Sequence, residues 1–402
     1  MAPCHFGMES VLKKEITDLG YDVTGVADGR VTFEGDAEAV ARVNICSRTA
    51  ERLLIKAASF TARTFDELFE GTKAVRWEEF IPENGKFWVA KASSVKSALF
   101  SPSDIQSIVK KAMVDELKGV YHTDWFSEDG DAFPFRVFIM KDEVTIGLDT
   151  TGDSLHKRGY RKLTAKAPIA ENLAAGLIML TPWRGDRILV DPFCGSGTIP
   201  IEAAMMAANI APGMNRTFTA QNWKHVIPEQ VWKDAFEEAH DSVVSVTDTD
   251  IQGYDIDEEM IRIARKNAAD AGVEKMIHFQ TRDVAVLSHP KKYGFIITNP
   301  PYGERLMDKD EVGSLYRLLG ERYKALDSWS MYVISSYDKV ENGIGRKADK
   351  NRKIYNGMMK TYYYEFRGPK PPARKKDNEG PGTGENKYAA ERIPLCGYGV
   401  KK

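Results

Sequence analysis

Apolar and polar positions along the chain follow two styles, with the change near Thr164. In the first sixty residues the elements are short and mixed. Val11, Leu12, Glu15, Ile16 and Leu19 recur on one face and predict an amphipathic helix over Met8–Leu19. Strands are expected at Asp22–Val26, Arg30–Phe33 and Arg52–Ser59, with a second helix near Ala37–Val43. The next stretch stays mixed. Ile105, Ile108, Val109, Ala112, Met113 and Leu117 share a face of a helix over Asp104–Leu117, and Ser103 with Gln106 has the spacing of a capping box. Phe135–Met140 and Glu143–Leu148 read as a hairpin closed at Lys141-Asp142.

After Thr164, long helical patterns alternate with apolar runs too short to be helices, which predicts a parallel sheet covered by helices. The strands expected are Arg187–Val190, Ile251–Tyr254, Met276–Gln280, Phe295–Thr298 and Ser330–Ser336. The helices are Ala167–Leu180, Thr198–Asn209, Val231–Val243, Glu258–Ala271 and Val312–Leu326. Ala211–Thr247 reads as an insertion that holds an extra helix, and the tyrosine run Thr361–Phe366 suits an antiparallel strand. From Gly368 the chain is rich in Pro, Gly, Lys and Arg, as expected of a flexible tail.

Composition narrows the classes. A chain of 402 residues with 43% apolar and 28% charged positions fits a globular protein of two or three domains. The net charge of −2 neither demands nor excludes a nucleic-acid partner, because a local basic face suffices to bind phosphate. No apolar run is long enough for a membrane span, and Lys13, Lys14, Glu15 and Asp18 do not read as a signal peptide. A cytoplasmic protein is expected. The four cysteines form no CxxC pair and the seven histidines have no ligand spacing, so no metal is expected.

Two segments carry chemistry. In Asp191-Pro-Phe-Cys-Gly-Ser-Gly-Thr198 an apolar strand ends in a carboxylate, and a glycine turn then opens a helix. Ligands of open α/β sheets bind at such strand ends. Asp191 would repel a pyrophosphate but suits a cationic ligand, and S-adenosylmethionine carries an ammonium and a sulfonium. A dinucleotide fold is disfavoured because Pro200 stands where its third glycine is expected. Asp255 follows the next strand and is placed to accept ribose hydroxyls; Asp257 reads more simply as a helix cap. Asp283, after the following strand, is placed to accept from an adenine amine.

The second segment is Asn299-Pro300-Pro301-Tyr302. An exocyclic amine on a base is a poor nucleophile because its lone pair is delocalised into the ring. The Asn299 side-chain oxygen and the Pro300 carbonyl can accept its two hydrogens. Pro300 and Pro301 stiffen the loop, and Tyr302 offers a face for an extruded base. Methyl transfer to carbon 5 of a pyrimidine would need a cysteine, and none lies near Asn299. This chemistry does not distinguish adenine, cytosine and guanine.

Together with Phe6-Gly-Met-Glu-Ser, Ser94-Val-Lys-Ser-Ala-Leu-Phe, Leu155-His-Lys-Arg-Gly-Tyr-Arg161 and Arg352-Lys-Ile-Tyr-Asn-Gly357, these motifs resemble the THUMP-domain class I RNA methyltransferases. The likeness is strongest to the bacterial 23S rRNA guanine-N2 methyltransferase family. It implies an α/β chain: a ferredoxin-like unit over 1–60, a THUMP RNA-binding domain over 61–155, a Rossmann-like methyltransferase domain over 164–367 and a tail over 368–402. It also implies S-adenosylmethionine as cofactor and 23S rRNA as partner. Some relatives carry a second methyltransferase domain, which this sequence is expected to lack. The expected cofactor contacts are Asp191, Phe193, Gly195, Ser196, Gly197, Thr198, Asp255, Ile256, Asp283 and Val284; the expected catalytic group is Asn299, Pro300, Pro301 and Tyr302. His156, Arg158 and Arg161 form a basic cluster expected to hold RNA, with Asn351, Arg352, Lys353 and Tyr355 as further RNA-facing candidates. Guanine-N2 methylation of tRNA, N6-adenine methylation and a non-catalytic RNA-binding assembly factor are the alternatives.

Overall fold

The computed structural model describes residues 1–161, 169–245, 249–301 and 309–372. The first unit holds β1 (Ala2–Pro3), α1 (Glu9–Asp18), β2 (Val23–Ala27), β3 (Arg30–Phe33) and α2 (Ala37–Cys46), with an antiparallel sheet in the order β1-β3-β2. The second holds β4 (Leu54–Thr61), α3 (Phe65–Lys73), β5 (Lys86–Val95), α4 (Pro102–Tyr121), β6 (Ala132–Met140) and β7 (Glu143–Asp149), ordered β4-β7-β6-β5. The hairpin between β6 and β7 turns through Lys141 and Asp142, both at positive φ, as the two-residue connection requires.

The third unit opens with α5 (Glu171–Met179), β8 (Leu189–Asp191), α6 (Thr198–Ala207), α7 (Glu229–Asp241), β9 (Ile251–Asp255), α8 (Glu258–Asp270) and β10 (Ile277–Thr281). It continues with β11 (Phe295–Thr298), α9 (Lys309–Ala325), β12 (Ser330–Ser335), α10 (Val340–Ile344), β13 (Lys350–Asn356) and β14 (Met359–Phe366). The strands form one sheet in the order β10-β9-β8-β11-β12-β14-β13, in which β14 alone runs antiparallel to its neighbours. The chain leaves β8 toward β9 and β10, then crosses back to β11. The sheet therefore has its switch point between β8 and β11, where a ligand crevice is expected.

Five elements were not anticipated: β1, α3, β5, α10 and β13. Helix α3 carries the true capping box: Thr64 accepts from Glu67 N–H while Glu67 reaches back to Thr64 N–H. At α4 the expected box is absent; the cap residue is Ser101, and Gln106 instead donates to the Val89 carbonyl at 2.8 Å. In β5 a register shift between Val89 and Lys91 breaks the alternation, and β13 buries only Ile354.

The insertion after α6 acts as a bracket. Helix α7 lies on α2, where Arg42 Nε and Nη2 donate to the two Glu238 carboxylate oxygens at 2.7 and 2.8 Å. Trp223 stacks on Phe133 of β6 with ring centroids 5.1 Å apart and donates to the Ala132 carbonyl at 2.9 Å. The insertion so touches both N-terminal units. Among the described residues no helix is long and apolar enough to cross a membrane.

Candidate active site

Strands β8 and β11 pair in parallel, Phe295 with Leu189 and Ile296 with Val190. That register sets Asp191 beside the end of β11. Thr298 Oγ1 donates to Asp191 Oδ1 at 2.6 Å, and Phe193 N–H donates to the same oxygen at 3.1 Å. Asp191 is 2% exposed. Burial, with a smaller push from Asp255, raises its carboxyl to about 7, against the hydrogen bonds that favour its anion.

The glycine loop hangs from the neighbouring strand. Gly195 N–H donates to Asp255 Oδ2 at 2.9 Å, Cys194 N–H to the Tyr254 carbonyl at 2.8 Å, and Asn267 of α8 to the Ser196 carbonyl at 3.1 Å. Gly197 has φ +86°, and a Cβ there would press on Ala264 and Phe279, both 3.0 Å away. The residue thus joins the turn to α6 and lets α8 pack close beneath it. Pro200 falls in the first turn of α6, where the lost N–H costs little.

Asp255 keeps Oδ1 engaged with Asp257 N–H at 3.0 Å, and burial raises its carboxyl from the ordinary value. Asp257 caps α8 by accepting from Glu259 N–H, its simpler assignment. Ile256 is 71% exposed, an apolar ledge beside the Asp255 carboxylate. Asp283 accepts from Ala285 N–H at 2.8 Å and caps a short turn; Val284 behind it is buried. All ten expected cofactor residues are thereby gathered at the carboxyl ends of β8, β9 and β10 or in the turns that follow them. Neither Asp191 nor Asp255 has an ion-pair partner among the described residues.

Asn299 and Pro300 follow β11 on the same edge. The Asn299 Oδ1 atom is buried and accepts no hydrogen bond among the described residues. An amide oxygen in that condition costs free energy unless something else supplies a donor. Tyr302 lies outside the described residues.

The basic cluster before the catalytic unit needs correction. Arg158 is 3% exposed. Its Nη1 donates to the Leu155 carbonyl at 2.6 Å, its Nη2 to the Arg48 carbonyl, and its Nε lies 3.5 Å from Glu202 Oε1. Glu202, on α6, also accepts from Tyr160 at 3.0 Å. A buried guanidinium held in this way joins the first unit to the glycine-loop helix and cannot grip phosphate. Arg161 is part-buried and engaged by Glu171 at 2.8 Å, by the Ile169 carbonyl at 2.8 Å and by Thr198 at 3.4 Å. Burial and the neighbouring arginines push His156 down to about 4, so its ring is neutral at neutral pH.

Sequence reasoning missed Thr298, Asn267 and Glu202. Each is a polar side chain at a core-facing position of its element. The interruption of an apolar face was the available signal.

Comparison with known proteins matches this architecture. Residues 158–365 match the methyltransferase domain of the RMKL-like family, residues 1–54 the RlmL ferredoxin-like domain, and residues 62–149 the THUMP domain. The chain belongs to the RMKL-like methyltransferase family. "Putative RNA methyltransferase YpsC" of Bacillus subtilis is 46% identical over 94% of this chain and 97% of its own length. The ribosomal RNA large subunit methyltransferase K/L of Psychromonas ingrahamii is 34% identical over 92% of this chain; the chain spans about half, 50%, of that longer relative. Among solved structures, SMU.472 complexed with SAH is 42% identical, covers 92% of this chain and 98% of its own, and superposes with a TM-score of 0.86. This RMKL-like chain therefore places its glycine loop and its Asn-Pro-Pro segment on adjacent strands of a methyltransferase sheet.

Proposed function

We propose that the chain transfers the methyl group of S-adenosylmethionine to the exocyclic N2 amine of a guanine in 23S rRNA. The single observation that carries the amine assignment is the buried Asn299 Oδ1 at the end of β11, which has no hydrogen-bond partner among the described residues. A base amine is the donor that such an acceptor lacks.

The residues at the switch point fit the cofactor. Two carboxylates with raised proton affinity and no ion-pair partner among the described residues suit a ligand with positive charge. Asp255 and exposed Ile256 suit a ribose and the flat face of an adenine, and Asp283, with one carboxylate oxygen unengaged among the described residues, suits the adenine amine. When bound, S-adenosylmethionine supplies a methyl group activated by a sulfonium.

The remaining work falls to the chain. Asn299 Oδ1 and the Pro300 carbonyl accept the two amine hydrogens and turn the nitrogen lone pair out of conjugation. Pro300 and Pro301 hold those acceptors before substrate arrives, so little reorganisation is needed during reaction. The surplus proton leaves to water after transfer, so no dedicated base is required. The 23S rRNA assignment is supported by the K/L relatives and by the THUMP and ferredoxin-like domains that precede the catalytic unit.

The test is to incubate the protein with labelled S-adenosylmethionine and unmodified 23S rRNA, digest the RNA and identify the nucleoside. N2-methylguanosine is expected. N6-methyladenosine overturns the base assignment, and label found in tRNA alone overturns the rRNA assignment.

A further inference from the structure

Two sequence segments remain outside the cofactor crevice, Phe6-Gly-Met-Glu-Ser near the start and Arg352-Lys-Ile-Tyr-Asn-Gly near the end. The fold brings them together. The Tyr355 carbonyl lies 3.2 Å from His5 Nδ1, and Arg352 Nη1 donates to the Gly7 carbonyl at 3.0 Å and to Ser10 Oγ at 3.1 Å. Gly7, at φ +95°, passes so close to β13 that a Cβ would collide with the Lys353 carbonyl.

What this contact builds is a set of rings with cations between them. Phe6 meets Tyr355 edge to face, with centroids 5.6 Å apart and planes at 86°. Lys353 Nζ lies 5.9 Å from the Phe6 ring and 5.1 Å from the Tyr355 ring. Register in the β13–β14 pair sets Lys353 opposite Tyr362 and Tyr355 opposite Lys360, so these four side chains share one sheet face. Lys360 Nζ is 5.2 Å from the Tyr362 ring. Phe6 is 40% exposed and Met358, at the hairpin tip, 99%. Neither lysine has a carboxylate partner among the described residues. The acids of this hairpin, Asp349 and Glu365, stand at its other end and pair with Arg346 and Arg367.

The face stands at the catalytic edge of the sheet. Thr298 pairs with Val333, Ser335 with Tyr362, and Tyr362 with Lys353. Lys353 is therefore level with Pro300, and Tyr355 lies two residues farther out, past the strand ends. Three strand spacings separate β11 from β13, about 14 Å. That is a reach of a few extended nucleotides. Phe6 is exposed, Tyr355 and Tyr362 are half-buried, and the two lysines beside them are exposed, Lys360 also bonding to the Tyr362 hydroxyl. Rings interleaved with lysines that no carboxylate neutralises are what a single nucleic-acid strand needs: faces for its bases and cations for its phosphates.

We propose that Phe6, Tyr355 and Tyr362, with Lys353 and Lys360, form a stacking platform for the single-stranded RNA flanking the target nucleotide. The proposal rests on RNA being the substrate and does not depend on which base is methylated.

The experiment compares wild type with the double variant Lys353→Ala, Lys360→Ala and with Tyr355→Ala. Each is titrated with a fluorescein-labelled short single-stranded RNA oligonucleotide over a range of salt, and assayed for methyl transfer to unmodified 23S rRNA. Tyr355→Ala is expected to bind the oligonucleotide about tenfold more weakly, within the about 1–3 kcal/mol that stacking contributes per base, and the lysine variant about tenfold more weakly through the loss of two phosphate contacts. The lysine variant is expected to lose about 1.4 from its log–log salt slope, the share of two phosphates on a single strand. KM for rRNA should rise while kcat at saturation and S-adenosylmethionine affinity hold, and Tyr355→Phe should restore binding. The two lysines are exposed, so their variant keeps the test valid if Tyr355→Ala does not fold. Wild-type affinity and slope in the lysine variant overturn the proposal, as does a wild type that does not bind the oligonucleotide. An adenine product overturns the base assignment alone.

Discussion

Thr298 donates a hydrogen bond of 2.6 Å to Asp191, joining the carboxyl ends of two adjacent parallel strands across the switch point of the sheet. One strand then leads into the glycine loop and the other into Asn299. A displacement of either strand would move the glycine loop and Asn299 together.

Asp191 makes stability and ligand affinity depend on pH in opposite senses. Its folded carboxyl is raised to about 7 from an ordinary 3.8. A raised folded value means that its favourable contribution is full below the unfolded value and is lost as pH rises through the folded one. The unliganded Asp191→Asn variant should therefore melt several degrees above wild type at pH 7.5 and level with it at pH 4. A cationic ligand favours the ionised form, so wild-type affinity for S-adenosylmethionine should strengthen between pH 5.5 and pH 7.5. Thermal scans and calorimetry across that range check both; a variant no more stable than wild type at pH 7.5 refutes the assignment.

Asn299→Ala removes the acceptor but none of the groups expected to hold cofactor. Turnover should fall by about two orders of magnitude or more, the usual scale for loss of one preorganised polar group. The S-adenosylmethionine dissociation constant should stay within about twofold by the same reasoning. Retained turnover in single-turnover assays would sink the amine-orienting role.

Asp255→Ala removes the acceptor of the Gly195 N–H as well as the expected ribose contact. Affinity for S-adenosylmethionine should drop about tenfold or more, the worth of one charge-assisted hydrogen bond. Calorimetry on the purified variant checks this, and an unchanged dissociation constant removes Asp255 from the site.

Arg158→Ala takes from buried Glu202 one of the two guanidinium groups that act on it, Arg48 being the other. Breaking a buried pair from one side costs about 3–5 kcal/mol, so denaturant midpoints should fall sharply. RNA affinity per folded molecule should not change. A stable Arg158→Ala protein that has lost RNA affinity would restore the phosphate-gripping role set aside above.

Much of this could be seen in the sequence because the catalytic unit is built from short apolar strands that end in polar residues. Phe295–Thr298 has the bounds expected, and β8, β9 and β10 begin or end within two residues of theirs. Arg158 could not be placed in the same way. Sequence shows a charge, which usually means solvent, and does not show Glu202 or the Arg48 carbonyl waiting inside. Strand β13 escaped notice for a related reason. Its faces are split between a joint to Gly7 and an open row of lysines and tyrosines, so period-two alternation never develops. The helix expected from Ala167 begins at Glu171 in the described residues, while Tyr302 and the tail from 373 lie outside them.

The bracket made by α7 and Trp223 bears on how a target is chosen. With one end clasped to Arg42 and the other stacked on Phe133, the catalytic sheet cannot swing freely against the THUMP sheet. The span from the one to the other is thus set when the protein folds rather than when RNA arrives. On the function proposed above, such a molecule would be a calliper, fitted to RNAs whose folded shape presents the target base at that one separation.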